Sequence, residues 1–122
     1  MDGRVVAVTG GHGVLGRAVV EAALARGWRV AVIDHAMGHA TPDGVLEVGG
    51  VDLTDPAQAG QAIAAVIGRF GRLDALLNIA GGFVWQTLEG GDPSGWAKLH
   101  ALNVTTCVNA TRAALPLLKR QI

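Results

Sequence analysis

Three glycines follow a short apolar run near the start of the chain and have the spacing of a phosphate-binding loop. The run is Val5-Val6-Ala7-Val8, and the glycines are Gly11, Gly13 and Gly16. A buried strand, a glycine turn and an amphipathic helix, in that order, form the context in which this spacing binds a dinucleotide. In that motif Gly11 permits the tight turn, Gly13 lets the backbone approach a pyrophosphate, and Gly16 lets helix and strand pack closely. A glycine-rich turn without a ligand is the alternative.

The start of the predicted helix supplies the second part of this site. Its first N–H groups have no partner within the helix, and the helix dipole places partial positive charge at the same end. Both features favour the phosphates of a dinucleotide at that point. The candidate phosphate-binding residues are consecutive in the chain: Thr9, Gly10, Gly11, His12, Gly13, Val14, Leu15 and Gly16.

An acidic residue stands at the end of the next apolar run, where a dinucleotide site needs one. Arg29–Ile33 is predicted to be the second strand, and Asp34 follows it, 18 positions beyond Gly16. A carboxylate there accepts hydrogen bonds from both hydroxyls of the adenosine ribose and repels a 2′-phosphate. Asp34 therefore favours NAD over NADP, a preference that the neighbouring His35 softens. The alternative is a solvated acid at the end of a strand.

The rest of the chain alternates predicted strands and helices. After the glycine loop we predict a helix to about Arg26, strands at 29–33 and 45–48, a helix from 56 to 69, a strand at 73–80 and a helical remainder from 94. Gly27 and Gly71 are predicted to end the first two helices, Gly27 in the left-handed conformation. Asp55 is predicted to cap the second helix, with Gln58 completing a capping box. Pro116 is expected to bend or end the last helix.

This alternation predicts an α/β fold. We expect a Rossmann-like, doubly wound parallel sheet that ends after about four strands, in the order 3-2-1-4. Ligands of such sheets bind outside the carboxyl ends of the strands, at the point where the strand order reverses. Asp34, Asp52 and 78–81 all fall at those ends. The sequence therefore predicts one domain, 1–122, with one cleft.

Composition narrows the classes of partner. Ten basic and ten acidic side chains give a formal net charge of zero, so nothing favours nucleic acid or a membrane surface. The single Cys107 fits a reducing compartment and is expected to be buried. The first apolar run, which follows Asp2 and Arg4, is too short for a signal peptide or a membrane span, which leaves the cytoplasm as the expected location. His35, His39 and Asp43 match no standard metal spacing, so we predict no metal site.

Several motifs together resemble the short-chain dehydrogenase/reductase family. Thr9–Gly16 resembles the family's glycine motif, in the Thr-Gly-x-x-Gly-x-x-Gly spacing of its extended branch. Asp52-Leu53 resembles an Asp-Leu/Val pair, which implies contact with the adenine ring. Asn78-Ile79-Ala80-Gly81 resembles the Asn-Asn-Ala-Gly signature of the shorter reductases, with Ile79 in place of the second asparagine. A loop acid and a turn residue are the alternatives for Asp52 and Asn78.

The resemblance spans the whole chain but only the amino-terminal half of the family's pattern. It implies an NAD-dependent oxidoreductase that moves a hydride between nicotinamide and a carbonyl or alcohol. The residues that it adds to the predicted cofactor site are Asp52, Leu53, Asn78, Ala80 and Gly81.

One residue resembles part of the family's catalytic tetrad. Asn103, in Leu102-Asn103-Val104-Thr105, matches the helix asparagine, which implies that it holds a water in a proton relay. The tetrad's serine, tyrosine and lysine have no counterpart, and the chain contains no tyrosine. His100 lies on the same helical face but is interpreted as a surface or core residue rather than a substitute acid. The alternative for Asn103 is a local hydrogen bond within its helix.

Three functions remain open on the sequence. The leading one is the cofactor-binding part of an NAD-dependent oxidoreductase, which in the whole protein acts on a small-molecule substrate. The second is a non-catalytic NAD-binding or interaction module, and the third is a fold that has lost its ligand. The apolar strand at 73–80 would leave an unpaired edge, next to the apolar Phe83, Val84 and Trp85. The family also commonly uses the helix of Asn103 as a dimer interface, so we predict a homo-oligomer.

Overall fold

The computed structural model describes residues 3–122, and the amino-terminal Met1 and Asp2 lie outside the described residues. Four strands and four α-helices follow one another, with a π-helical segment between the last two helices. The elements are β1 Val5–Thr9, α1 Val14–Ala25, β2 Arg29–Ile33, β3 Leu46–Val48, α2 Pro56–Phe70, β4 Ala75–Asn78, α3 Pro93–His100, the π-helical segment Ala101–Thr105 and α4 Thr106–Lys119.

The four strands form one parallel sheet in the order β3-β2-β1-β4. This confirms the predicted Rossmann-like fold and strand order. β1 lies between two neighbours, with Val6 opposite Val30 of β2 and Ala75 of β4. All five residues of β1 are buried, as its continuous apolar run predicts for a strand covered on both faces.

Alternate residues of the central strands enter two separate cores. On one face, Val5, Ala7 and Ile33 pack with α2 and α4, which contribute Val66 and Ala110 among others. The opposite face packs against α1, through Val6, Val8, Val20, Val30 and Val32. Because successive side chains of a strand point to opposite faces, two adjacent valines of β1 serve two different helical layers. The sheet is therefore doubly wound.

The ends of α2 follow most of the predicted capping pattern. The Asp55 carboxylate accepts a hydrogen bond from the Ala57 N–H at 3.0 Å, and Gly71 ends the helix in the left-handed conformation with φ 79°. The predicted capping box is wrong. Gln58 accepts from the Asp52 N–H at 2.8 Å instead of from the Asp55 N–H, which donates to the Asp52 carbonyl. The glutamine thus ties α2 to the preceding loop.

β4 is shorter than the 73–80 strand predicted from its apolar run. Leu73 is buried but precedes the ladder, and Ile79 and Ala80 leave it because their N–H groups bind the Thr9 hydroxyl, each at 3.1 Å. The unpaired edge of β4 therefore exposes fewer apolar residues than a strand at 73–80 would expose. Its main exposed apolar side chain is Leu77, which is 40% exposed.

In the last helix, the structure excludes one of the two predicted effects of Pro116 and corrects the predicted burial of Cys107. Pro116 does not end α4, which continues to Lys119, since Leu117 and Leu118 pack against the same core as the residues before the proline. Tertiary packing thus outweighs the hydrogen bond that proline removes. Cys107 is only partly buried, because the helix turns Thr106, Ala110 and Ala114 toward the core instead.

At the end of the sheet away from the carboxyl ends of the strands, Asp74 joins the starts of β1 and β4. Its carboxylate accepts hydrogen bonds from the Val5 N–H at 2.8 Å and from two nitrogens of Arg72 at 2.6 and 2.9 Å. The Arg72 hydrogen bonds, outweighing the effect of burial, hold the pKa of Asp74 below its usual value. Because the folded state favours the ionised carboxylate, it gains stability above the unfolded pKa and loses it as the pH falls through the folded pKa.

We therefore expect Asp74→Asn to lower the free energy of unfolding at pH 7 by about 1.5–3 kcal/mol, as expected for hydrogen bonds to a charged group. The difference from the unsubstituted protein should shrink below about pH 4, where the carboxylate of the unfolded chain becomes protonated while the native carboxylate is still ionised. Urea unfolding between pH 3 and pH 7 measures this difference. Glu89→Gln, at an exposed acid, is the control and should be neutral. A penalty for Asp74→Asn that is the same at every pH would contradict the assignment.

Candidate functional site

A cleft of about 580 Å³ opens at the carboxyl ends of β1, β2 and β4. It lies where the strand order reverses, which is the position predicted for the ligand. Twelve of the fifteen predicted cofactor-binding residues line it: Gly10, His12, Gly13, Val14, Leu15, Gly16, Asp34, His35, Asp52, Leu53, Ala80 and Gly81. Thr9, Gly11 and Asn78 do not line the cleft.

The glycine loop turns at a different residue from the one predicted. Gly10, with φ 67°, adopts the left-handed conformation, whereas Gly11 does not. Gly11 is needed for a different reason, since a Cβ there would lie 2.5 Å from the side chain of Val32. Gly16 is needed for close packing of α1 on the loop, because a Cβ at Gly16 would overlap the Gly10 carbonyl oxygen. α1 can approach the loop this closely only with glycine at that position.

Gly13 leaves the start of α1 open toward the cleft. A Cβ at Gly13 would be 3.4 Å from the Gly10 oxygen, so the fold itself has room for a side chain there. No side chain caps the helix and no acidic residue stands in its first turn. Val14 is 93% exposed at the first helical position. The positive end of a twelve-residue helix therefore faces the cleft with no carboxylate in its own first turn.

Thr9 and Asn78 act behind the cleft. The buried Thr9 hydroxyl accepts hydrogen bonds from the N–H groups of Ile79 and Ala80, which fixes the path of the chain as it leaves β4. The Asn78 amide donates to the Thr111 hydroxyl of α4 at 3.1 Å. Both residues therefore hold the strand ends in place.

Asp34 is positioned by backbone donors on either side. One carboxylate oxygen accepts from the His12 N–H and the other from the Ala36 N–H, both at 2.9 Å. A carboxylate has about four acceptor positions, so two remain for a ligand. The carboxylate is therefore oriented at the edge of the cleft before any ligand binds.

The His12 side chain does not extend freely into the cleft. It is only 6% exposed, stacks on the His39 ring with centroids 4.7 Å apart, and places Nε2 3.5 Å from a Glu47 carboxylate oxygen. Glu47 also accepts from the Gly38 N–H at 3.0 Å, so it holds the loop after Asp34. Sequence reasoning missed Glu47. The available signal was a charged residue in the middle of a short predicted edge strand.

Asp52 and Leu53 form the far wall of the cleft. The Asp52 carboxylate accepts from the Thr54 hydroxyl at 2.6 Å and from the Thr54 N–H at 2.9 Å. These bonds, the hydroxyl first, lower the pKa of Asp52, with a smaller contribution from His35. The Leu53 side chain is buried, and its carbonyl accepts from the Asn109 amide of α4 at 2.9 Å. Asn109 was not predicted, since nothing local in the sequence links it to Leu53.

Asn103 lies in the π-helical segment and uses its side chain on backbone groups. Its oxygen accepts from the Gly82 N–H at 3.1 Å, and its nitrogen donates to the carbonyls of Gly82 and Leu99, both at 2.9 Å. The bond to Leu99 is a hydrogen bond within the helix, as the alternative to a catalytic role for Asn103 predicted. The two bonds to Gly82 hold the loop after β4. Leu102 and Thr106 line the cleft from this helix, whereas His100 is exposed and does not.

The part of the chain that the structure describes holds neither a metal-binding cluster nor a membrane-spanning helix. Between residues 3 and 122, no group of three or more His, Cys, Asp or Glu side chains is arranged to hold a metal ion. In the same range, no helix combines the length and apolar character needed to cross a membrane.

The Asn103 bonds give a prediction about the loop after β4. We expect Asn103→Ala to lower the free energy of unfolding by about 1–2 kcal/mol and to speed hydrogen exchange at Gly82, because both bonds to that residue are lost. Asn103→Asp should speed exchange as well, since a carboxylate cannot donate to the Gly82 carbonyl. Exchange followed by mass spectrometry on peptides covering 79–91 measures this effect. His100→Ala is the control, and unchanged exchange in both Asn103 variants would contradict the assignment.

Comparison with curated proteins finds relatives that are dehydrogenases. The chain is 33% identical to 2-(S)-hydroxypropyl-CoM dehydrogenase 3 of Xanthobacter autotrophicus, over 94% of this chain and 48% of that protein. It is 34% identical to cis-1,2-dihydrobenzene-1,2-diol dehydrogenase of Pseudomonas putida, over 97% and 46%. The chain thus spans about half the length of the curated relatives that it matches.

Solved structures share the fold over nearly the whole chain. A short-chain dehydrogenase/reductase from Serratia marcescens is 30% identical with a TM-score of 0.82, covering 95% of this chain and 53% of that one. The 3-ketoacyl-(acyl-carrier-protein) reductase of Brucella melitensis, solved with NADH, has a TM-score of 0.87 at 24% identity, over 98% and 52%. The family model for short chain dehydrogenases matches residues 4–122. With the glycine loop, sheet order and cleft described above, this match shows that the chain belongs to the short-chain dehydrogenase family of oxidoreductases.

Proposed function

We propose that residues 1–122 form the NAD-binding domain of an oxidoreductase that transfers a hydride between nicotinamide and the carbonyl or alcohol group of a small-molecule substrate. The observation that carries this proposal is the pairing of two features in one cleft. The open amino terminus of α1 suits a pyrophosphate, and the Asp34 carboxylate suits the hydroxyls of a ribose. The family binds a nicotinamide cofactor, and we assign NAD to this chain in particular.

The residues present fit that cofactor. The Gly13 backbone has free space beside it, so a pyrophosphate can approach the first N–H groups of α1. Asp34 would accept from the ribose hydroxyls, and its charge would repel the 2′-phosphate of NADP. Asp52 and Leu53 would contact the adenine ring at the far wall. When bound, the nicotinamide ring of the cofactor accepts or donates the hydride.

The chain's own residues bind and orient the cofactor but supply no proton donor of the family's type. The family's acid is a tyrosine, and none occurs among the 122 residues. We therefore assign cofactor binding to this chain and do not assign it the proton transfer. The role of Asn103 in holding a relay water stays a prediction. In this structure its side-chain amide forms hydrogen bonds with the backbone of Gly82 and Leu99.

A non-catalytic NAD-binding or interaction module is the second candidate, and an exposed apolar surface favours it. A groove of about 340 Å³ lies between α1 and the β4 edge, lined by Val6, Val19, Trp28 and Leu77 among others. This surface and the exposed Phe83 and Trp85 also support our proposal of a homo-oligomer. Location in the cytoplasm and the lack of nucleic-acid or membrane partners stay predictions from composition.

NADH titration tests the cofactor assignment. We expect a saturable change in the fluorescence of the three tryptophans, with NADH binding more tightly than NADPH. Asp34→Ala should weaken NADH binding at least tenfold and narrow that preference, because each lost bond to a charged acceptor is worth about 1.5–3 kcal/mol. Gly13→Val should abolish binding by filling the space of the pyrophosphate. Asp43→Ala, an exposed acid in the same loop region, is the control and should bind normally.

The absence of any saturable change in the folded, unsubstituted protein would support the third possibility, a fold that has lost its ligand. If NADH binds, the two remaining candidates differ in one respect. The interaction module predicts that binding of a partner protein changes when NADH is added, and the oxidoreductase domain does not.

Sedimentation velocity tests the proposed self-association. We expect the average mass to rise with protein concentration, and Leu77→Lys to reduce the rise by placing a charge on the unpaired β4 edge. Met37→Lys changes an equally apolar, exposed residue in the loop after β2 and serves as the control. A mass that stays monomeric at all concentrations would count against a homo-oligomer.

A further inference from the structure

We propose that His12 takes up a proton when the dinucleotide binds, and that Glu47 is the positioning residue that allows this buried ring to carry a charge. The inference rests on the proposed binding of NAD and adds a dependence on pH to it. Its basis is a buried imidazole nitrogen beside a carboxylate, in a residue that lines the cleft.

The His12 ring is enclosed although the residue lines the cleft. Its side chain is 6% exposed, and the His39 ring stacks on it with the centroids 4.7 Å apart. The buried Nε2 atom has no hydrogen-bond partner among residues 3–122, and the Glu47 Oε2 atom lies 3.5 Å away, just beyond a good hydrogen bond. A buried nitrogen without a partner is unfavourable. Protonation turns Nε2 into a charged donor that faces the carboxylate.

The Glu47 carboxylate is held opposite the ring by its other oxygen. Its Oε1 atom accepts from the Gly38 N–H at 3.0 Å, and its backbone belongs to β3. The side chain is 23% exposed, so salt and water screen its charge less than that of a fully exposed acid. The carboxylate therefore offsets the cost of placing a positive charge on the enclosed His12 ring.

Other charged and titratable groups also surround His12. Asp34 accepts from its backbone N–H at 2.9 Å, and α1 has no acid in its first turn. His35 interacts electrostatically with the Asp52 carboxylate, and His39 covers the ring. Both of these other histidines are exposed, so water solvates them in either protonation state. The enclosed ring alone depends on a neighbouring carboxylate to become charged.

Binding of the dinucleotide brings further negative charge beside His12. The proposed pyrophosphate position is at Gly13, the next residue, and the pyrophosphate carries two negative charges. Nearby negative charge favours the imidazolium form, and imidazole changes its charge between pH 5 and 8. The coupling is reciprocal, so a proton on His12 favours the dinucleotide as much as the dinucleotide favours the proton. NADH should therefore bind more tightly as the pH falls through this range.

The experiment measures the NADH dissociation constant between pH 6 and pH 8 from the fluorescence of the nicotinamide ring. We expect the unsubstituted protein to bind NADH about fivefold more tightly at pH 6 than at pH 8, the effect of one favourable charge beside an imidazole. Calorimetry at pH 7, in two buffers with different enthalpies of ionisation, should show uptake of about half a proton.

Two substitutions separate the positioning role from a merely structural one. Glu47→Gln keeps an oxygen for the Gly38 N–H but removes the charge, so protonation of the enclosed ring moves below this pH range. We expect the affinity to vary within twofold from pH 6 to pH 8 and the proton uptake to disappear. His12→Phe, which keeps a ring to stack on His39, should give the same flat profile.

Asp43→Asn is the matched control, because it makes the same change of charge at an exposed acid of the loop after β2. His39→Phe keeps a stacking ring, and His35→Asn removes the other histidine of the cleft. We expect all three variants to keep the pH dependence and the proton uptake of the unsubstituted protein. Circular dichroism confirms that each variant is folded before the titrations.

A pH dependence that persists in folded Glu47→Gln and His12→Phe proteins would overturn the inference. Its loss in His39→Phe or His35→Asn alone would do so as well, since the proton would then belong to an exposed histidine. If the unsubstituted protein binds NADH equally at every pH, the inference fails while the proposed NAD binding stands. If it binds no NADH at any pH, the proposed function itself fails and the inference fails with it.

Discussion

The Thr9 hydroxyl joins the ends of β1 and β4, and the geometry of the cleft depends on that contact. The hydroxyl is buried and accepts hydrogen bonds from the N–H groups of Ile79 and Ala80. Both of these residues lie beyond the end of the β4 ladder. A Cβ at Gly10 would lie 2.8 Å from the Ala80 nitrogen, so the two strand ends meet backbone to backbone. The cleft opens where these ends diverge, and a looser contact would misalign its walls.

Polar side chains around the cleft mostly bind backbone groups of its loops. Glu47 binds the Gly38 N–H, Gln58 binds the Asp52 N–H, and Asn103 binds both polar groups of Gly82. Each comes from a helix, a strand or the π-helical segment, and each fixes a loop that faces the cleft. The consequence is a site built largely from oriented backbone, which suits a ligand with phosphates and hydroxyls more than one read by many side chains.

Two regions of the surface differ in character: the carboxyl ends of the strands, and the β4 edge with the groove beside α1. The carboxyl ends of the strands carry an ordered cleft, whereas the β4 edge and the groove beside α1 leave apolar surface exposed. Binding of a dinucleotide needs only the first feature. The 122 residues include no tyrosine, the residue that serves as the family's acid, so binding and proton transfer are separate questions for this chain.

The sequence by itself determined the order of the elements, the parallel sheet and most of the cleft lining, because apolar runs, capping residues and glycine spacing act over short distances. Tertiary structure decided the rest. Gly10 rather than Gly11 makes the left-handed turn, and Gly11 is required instead because a Cβ there would meet the Val32 side chain of the neighbouring strand. α4 continues past Pro116 because later leucines share its core. Asn109 reaches Leu53 only when helix and loop are packed together, and no local pattern records a contact across 56 positions.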